Sequence, residues 1–249
     1  MEKNLLFHLG RFVAWHGQIF RKPENLRMYY KETVRLMYDI GIGSLPLVFI
    51  ISIFIGAVTA VQFYYQLDGT FIPTYYIGYI VRDMAIIELA GTFTCIVLAG
   101  KIGSNMAAEI GGMRQKEHID AMEIMGVNTA AYLVMPKIVA GFFMIPILVS
   151  IAMLVNIGGG YLATVPTDIF LHSDYIRGLR SFFIPYYVFM MYVKAFSFAY
   201  LLTAISCYQG YFVTGGSIEL GQASTRAVVY SCIAIIVADY LIAVLLTAV

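Results

Sequence analysis

The sequence predicts an all-α integral membrane protein. It consists of an N-terminal amphipathic interfacial helix, five transmembrane helices and a short cytoplasmic helix between the second and third. Three observations predict this. First, the 249 residues are 60% hydrophobic and 12% charged, whereas a soluble domain has roughly 45–50% apolar and about 25% charged residues. Second, five stretches reach the ~20 apolar residues that a helix needs to cross a bilayer core of ~30 Å. Third, Lys and Arg are distributed unevenly between those stretches. The formal net charge of +1 points to no nucleic-acid partner.

Residues 1–41 form the interfacial region. Leu5, Leu9, Phe12 and Trp15 recur at helical spacing, with Arg11, Gln18 and Arg21 between them. Pro23 ends that helix or starts the next. Leu26, Tyr30, Val34 and Met37 continue the period opposite Arg27, Lys31 and Arg35. A basic amphipathic helix with Trp and Phe reads as lying in the membrane interface; packing against the bundle is the alternative, and both can hold together. No small-residue cleavage site follows the first apolar run, so the first span is expected to direct insertion.

Residues 42–249 are expected to form one five-span bundle, with spans near Ile42–Phe63, Ile86–Ile102 (or from nearer Ile77), Tyr132–Ile157, Phe182–Ser206 and Ala227–Val249. Residues 1–41 hold seven Lys and Arg, residues 101–137 hold four, and Arg226 adds a twelfth. The opposite side holds Arg82, Arg177 and Arg180. The positive-inside rule puts the richer side in the cytoplasm. The N-terminus is then cytoplasmic and the C-terminus periplasmic.

The connector KEHIDAMEIMG, Lys116 to Gly126, falls on the cytoplasmic side. A helix over Gln115–Met125 aligns Glu117, Asp120 and Glu123 in one acidic stripe, with Ile119, Met122 and Met125 beside it. Gly126 suits a C-cap. The helix is expected to have one face for the membrane domain and another for water or a partner. Methionine-rich helices suit docking into a groove. No GxxxxGK[ST] occurs, so any ATP chemistry belongs to a separate polypeptide.

Within the spans, Lys194 and Asp239 are placed near mid-membrane by antiparallel counting, and an ion pair between them would offset the cost of burying each. Glu88 is expected near the periplasmic end of the second span, facing lipid or a periplasmic partner, with Arg82 and Asp83 nearby. Small residues, among them Gly56, Ala60 and Gly158–Gly160, suit close helix packing in the core or at a dimer seam. Paired aromatics such as Tyr75-Tyr76 and Tyr211-Phe212 read as an interfacial belt. Cys95, Cys207 and Cys232 include no CxxC and read as small buried hydrophobes.

The run Glu88–Gly141, ELAGTFTCIVLAGKIGSNMAAEIGGMRQKEHIDAMEIMGVNTAAYLVMPKIVAG, resembles the signature of the MlaE (YrbE) permease family. So does Cys207–Ser231, CYQGYFVTGGSIELGQASTRAVVYS. The resemblance implies a permease subunit of an ABC system that moves phospholipid or a related lipid between bacterial membranes. It implies a homodimer in the bacterial inner membrane working with ATPase subunits, which bind the ATP and Mg, and with an MCE-domain protein in the periplasm. It places Glu117, His118, Asp120, Met122, Glu123, Met125 and Gly126 on a coupling helix. This sequence departs at Ile87, where members carry arginine, and at Gly91, Lys101 and Lys137.

Two other classes fit less well. An intramembrane enzyme needs convergent catalytic groups, yet HExxH and GxSxG are missing and His8, His16, His118 and His172 fall outside the expected spans. An ion-coupled secondary transporter is expected to show paired broken helices or inverted repeats.

Overall fold

The computed structural model describes residues 5–19, 26–67, 69, 71–167 and 172–247. Among these residues the secondary structure is entirely helical. We number eight helices: α1 (Leu5–Ile19), α2 (Leu26–Leu67), α3 (Tyr76–Gln115), α4 (His118–Ile124), α5 (Thr129–Thr167), α6 (His172–Arg180), α7 (Pro185–Tyr211) and α8 (Ser217–Thr247). Five of them, α2, α3, α5, α7 and α8, are long and apolar enough to cross a membrane. The expected fold class and span count therefore hold.

Span limits differ from the sequence expectation in instructive ways. The amphipathic residues after Leu26 continue into the first span as one 42-residue helix with Pro46 inside it. The two patterns share one continuous helix although Gly41, Gly43 and Pro46 lie where they meet. The second span runs Tyr76–Gln115, so it takes the earlier start near Ile77 and extends past Ile102. Its glycines do not end it, because in hydrocarbon the backbone gains more from an unbroken ladder. Wide π-turns over Ala85–Phe93 and Ala99–Gly103 interrupt its α-geometry. Helix α7 starts at Pro185, a residue suited to the first helical position. Helix α8 starts at Ser217, ahead of the expected Ala227, because Glu219 accepts a hydrogen bond from the Gly216 N–H at 2.8 Å. That is the reach-back half of a capping box.

Backbone contacts gather the chain into two compact units. One comprises Met1–Ile40, Leu98–Met144 and Ala199–Ile235. There α1 packs through Trp15, whose ring lies 5.6 Å from both Tyr208 and Tyr211 and 5.9 Å from Phe212. The Arg11 guanidinium stacks 3.5 Å over Phe212. The packed alternative for α1 is thus realised from Arg11 onward; the Leu5 and Leu9 side chains lie outside the described residues. Tyr211 is buried in this cluster, not exposed in a belt. Gly210 lies so close to Ala107 that a methyl group there would strike its backbone.

The other unit comprises Gly41–Val97, Ile145–Phe198 and Ile236–Val249. Here the small residues of α2 and α5 interlock. A methyl group on Gly56 would strike the Asn156 carbonyl, and one on Gly159 would strike that of Ile53. Gly56 therefore serves the core of the subunit. Gly78 and Gly178 make the same close approach between the start of α3 and α6. Tyr175 fills the space beside Gly160 and donates to the Ile157 carbonyl at 2.9 Å. Burial pushes its phenol pKa well above the ordinary tyrosine value, which keeps that donor protonated.

Candidate functional site

Helix α4 is seven residues long and tightly bounded at both ends. Glu117, which precedes it, has φ +58°. Few non-glycine residues adopt this left-handed conformation. It lets the chain leave α3 at Gln115 and start α4 at His118, so the expected single helix from Gln115 is two helices with a turn between them. At the other end Gly126 has φ +82°; its N–H reaches the Glu123 carbonyl at 3.0 Å, and the Val127 N–H reaches that of Met122 at 3.1 Å. That pair of bonds is a Schellman cap, as the glycine predicts.

Helix α4 is fixed on an apolar and on a polar side: Ile119 is buried, and Asp120 and Glu123, both half-exposed, reach back to protein partners. Arg114, in the last turn of α3, approaches Asp120 at 2.9 Å and Glu123 at 3.7 Å. Glu123 also accepts from Tyr211 at 3.0 Å and from Thr129 at 3.1 Å, and those two hydroxyls lie 2.7 Å apart. Ile119 is fully buried and Met122 half-buried. Ile124 and Met125, in contrast, are 87% and 71% exposed. His118 and Glu117 are exposed as well. The helix is held by its polar side and presents an aliphatic tip. Sequence periodicity alone misses this, because the deciding partners Thr129 and Tyr211 lie 6 and 88 residues from Glu123.

The second cluster lies inside the spans. Lys194 on α7 is fully buried. Its Nζ sits 2.6 Å from Asp239 on α8 as a charge contact, not as an aligned hydrogen bond. It also donates to Glu88 at 3.0 Å and to the Ile87 carbonyl at 3.1 Å. The Lys194–Asp239 pair predicted by counting is therefore formed, and Glu88 makes it a triad. Glu88 lies twelve residues inside its helix, not at the end, and it occupies the wide turn Ala85–Phe93. Wide turns of this kind recur at functional sites. Thr92 donates to the other Glu88 oxygen at 3.3 Å. At the position where arginine precedes this glutamate in the resembling family, the Ile87 backbone carbonyl meets the lysine. Glu88 keeps 38% of its side chain exposed, so the triad has one accessible edge.

Arg82 and Asp83 do not join that triad. They form a buried pair at 2.7 Å. Arg82 also donates to the carbonyls of Leu179 and Ser181 at 2.7 Å and of Phe182 at 3.2 Å. Its task is to tie α3 to the end of α6, and no simple sequence pattern signals it. Among the described residues no group of three or more His, Cys, Asp and Glu side chains could hold a metal ion.

Residues 33–245 match the family described as Permease MlaE. A probable ABC transporter permease protein of Rickettsia bellii is 35% identical over 94% of this chain and 90% of its own length. One from Synechocystis is 30% identical over 90% and 85%. The Arabidopsis thaliana chloroplast protein TRIGALACTOSYLDIACYLGLYCEROL 1 is 27% identical over 91% of this chain and 64% of its own length.

Proposed function

Because the chain belongs to the MlaE permease family and is thereby an ABC transporter permease with an ATPase partner, we propose that it moves phospholipid or a related lipid between the bacterial inner and outer membranes from a place in the inner membrane. In this reading the N-terminus is cytoplasmic and the C-terminus periplasmic. The separate ATPase subunits bind ATP and Mg and dock on α4. The observation that carries the reading is the exposed Ile124–Met125 tip, held rigidly between the left-handed Glu117 and the Gly126 cap. A rigid aliphatic knob suits a hydrophobic groove on a partner. The hydrogen bonds from Tyr211 and Thr129 to Glu123, and the buried Ile119, keep the knob from swinging when it is pushed.

Two further features support the finer parts. Helix α8 leaves Ile233, Ile236, Val237, Tyr240 and Leu241 exposed, an apolar face available to lipid tails and to a second copy. One relative bears the name of a galactolipid. The lipid passes to a periplasmic MCE-domain protein in this scheme, and the accessible edge of Glu88 is a group on its path. The test is co-purification of the chain with an ATPase and an MCE-domain protein, followed by hydrolysis measured with and without phospholipid. Lipid-stimulated hydrolysis supports the proposal. A chain that purifies alone, in membranes where the ATPase is present, contradicts it.

A further inference from the structure

The unit that contains α4 also contains a cavity of about 150 Å³ between the start of α2, the end of α3 and the start of α5. A cavity of that size accommodates a group about as large as benzene, so it holds part of a molecule and not a whole phospholipid. Its charged lining is Glu32, Glu109 and Lys137. Lys137 is only 3% exposed and its Nζ lies 2.6 Å from Glu109. That contact satisfies the lysine and leaves the Glu32 carboxylate in excess. Tyr29 and Tyr132 line the same cavity with their rings edge to face, 6.1 Å apart. A surplus carboxylate beside two tyrosine rings is the chemistry that recognises an ammonium group.

The surroundings say where such an ammonium comes from. On α2, Met28, Tyr30, Val34 and Tyr38 are exposed together with Arg27, Lys31 and Arg35. Apolar and basic residues exposed side by side on one helix suit the level of lipid headgroups. Arg35 follows Glu32 by three residues on α2, and residues three apart on a helix are neighbours, so a cation for a phosphate stands beside the ammonium site. We infer that this cavity binds the headgroup of a zwitterionic aminophospholipid, with the ammonium between Glu32 and the two tyrosines and the phosphate toward Arg35. The inference stands whether or not the transported molecule is a lipid.

The probe is retention of lipid by the full complex, purified from nanodiscs of equimolar phosphatidylethanolamine and phosphatidylglycerol and read by native mass spectrometry. Wild type retains phosphatidylethanolamine about fivefold over phosphatidylglycerol, the size of effect that a cation–π site gives. Glu32→Gln, on an exposed position that leaves the fold intact, brings the ratio close to one. Met28→Trp, which fills the cavity, does the same. Equal retention of the two lipids by wild type overturns the inference, as does a preference unchanged in both variants. Displacement by free ethanolamine at the same concentration as by a short-chain phosphatidylethanolamine overturns the lipid source in favour of a soluble amine. ATP hydrolysis measured on the same samples reports the transport reading separately, so the two fail independently.

Discussion

Lys194 carries the heaviest electrostatic load of any residue described. It is fully buried and has two carboxylates and a carbonyl around its Nζ. Removing one partner of a buried charge pair typically costs about 3–5 kcal/mol, whereas replacing the whole set with neutral groups is much cheaper. Lys194→Met should therefore lower thermal stability sharply, and adding Glu88→Gln and Asp239→Asn to it should recover most of the loss. Melting curves in detergent compare the single and triple variants; equal melting temperatures would dismiss the triad as a structural unit. Glu117 offers the opposite case. At φ +58° its backbone is strained by roughly 1–2 kcal/mol. Glu117→Gly should raise the melting temperature, and Glu117→Val should lower it. Residues of this kind show how far sequence reasoning reaches. The Lys194–Asp239 pair was legible because two lone charges in apolar runs must meet something. The part of Glu88 in that cluster was not legible, because its partner Lys194 lies 106 residues away on another helix.

At the scale of elements, α4 was legible in position, composition and C-cap, but its polar partners were not. Arg114, Thr129 and Tyr211 hold the half-exposed Asp120 and Glu123. The half-exposed ion pairs with Arg114 contribute little on their own, about 0–1 kcal/mol each. The hydroxyl pair makes the difference, since it satisfies Glu123 from the protein side. Tyr211→Phe with Thr129→Val should loosen α4, seen as faster amide exchange over residues 118–126 while exchange in α5 beyond its first turns stays unchanged. Equal exchange in the variant would mean that the ion pairs suffice. The close approach of α3 and α6 gives a second expectation at this scale. Gly178→Ala places a methyl group on the Tyr75 carbonyl, so it should destabilise by roughly 1–3 kcal/mol as other overpacked sites do. The same change at Gly100, which has open space around it, should be close to neutral.

For the molecule as a whole, hydropathy and charge asymmetry were enough to read five spans and an N-terminal helix. The apolar stretches are long, and a bilayer leaves the backbone few alternatives to helix. What they could not supply was the joining of the amphipathic segment and the first span into one helix, because Gly41, Gly43 and Pro46 at the join read as breakers. The permease assignment rests on the family match over residues 33–245, and its mechanical part rests on the aliphatic tip of α4. The most direct test is ATP hydrolysis by the complex in phospholipid nanodiscs, with Ile124→Asp and Met125→Asp compared with wild type. Both positions are exposed, so the variants should melt at the wild-type temperature. The account predicts that they retain basal hydrolysis and lose its stimulation by lipid. Full stimulation in both variants, with the ATPase still bound, would contradict it.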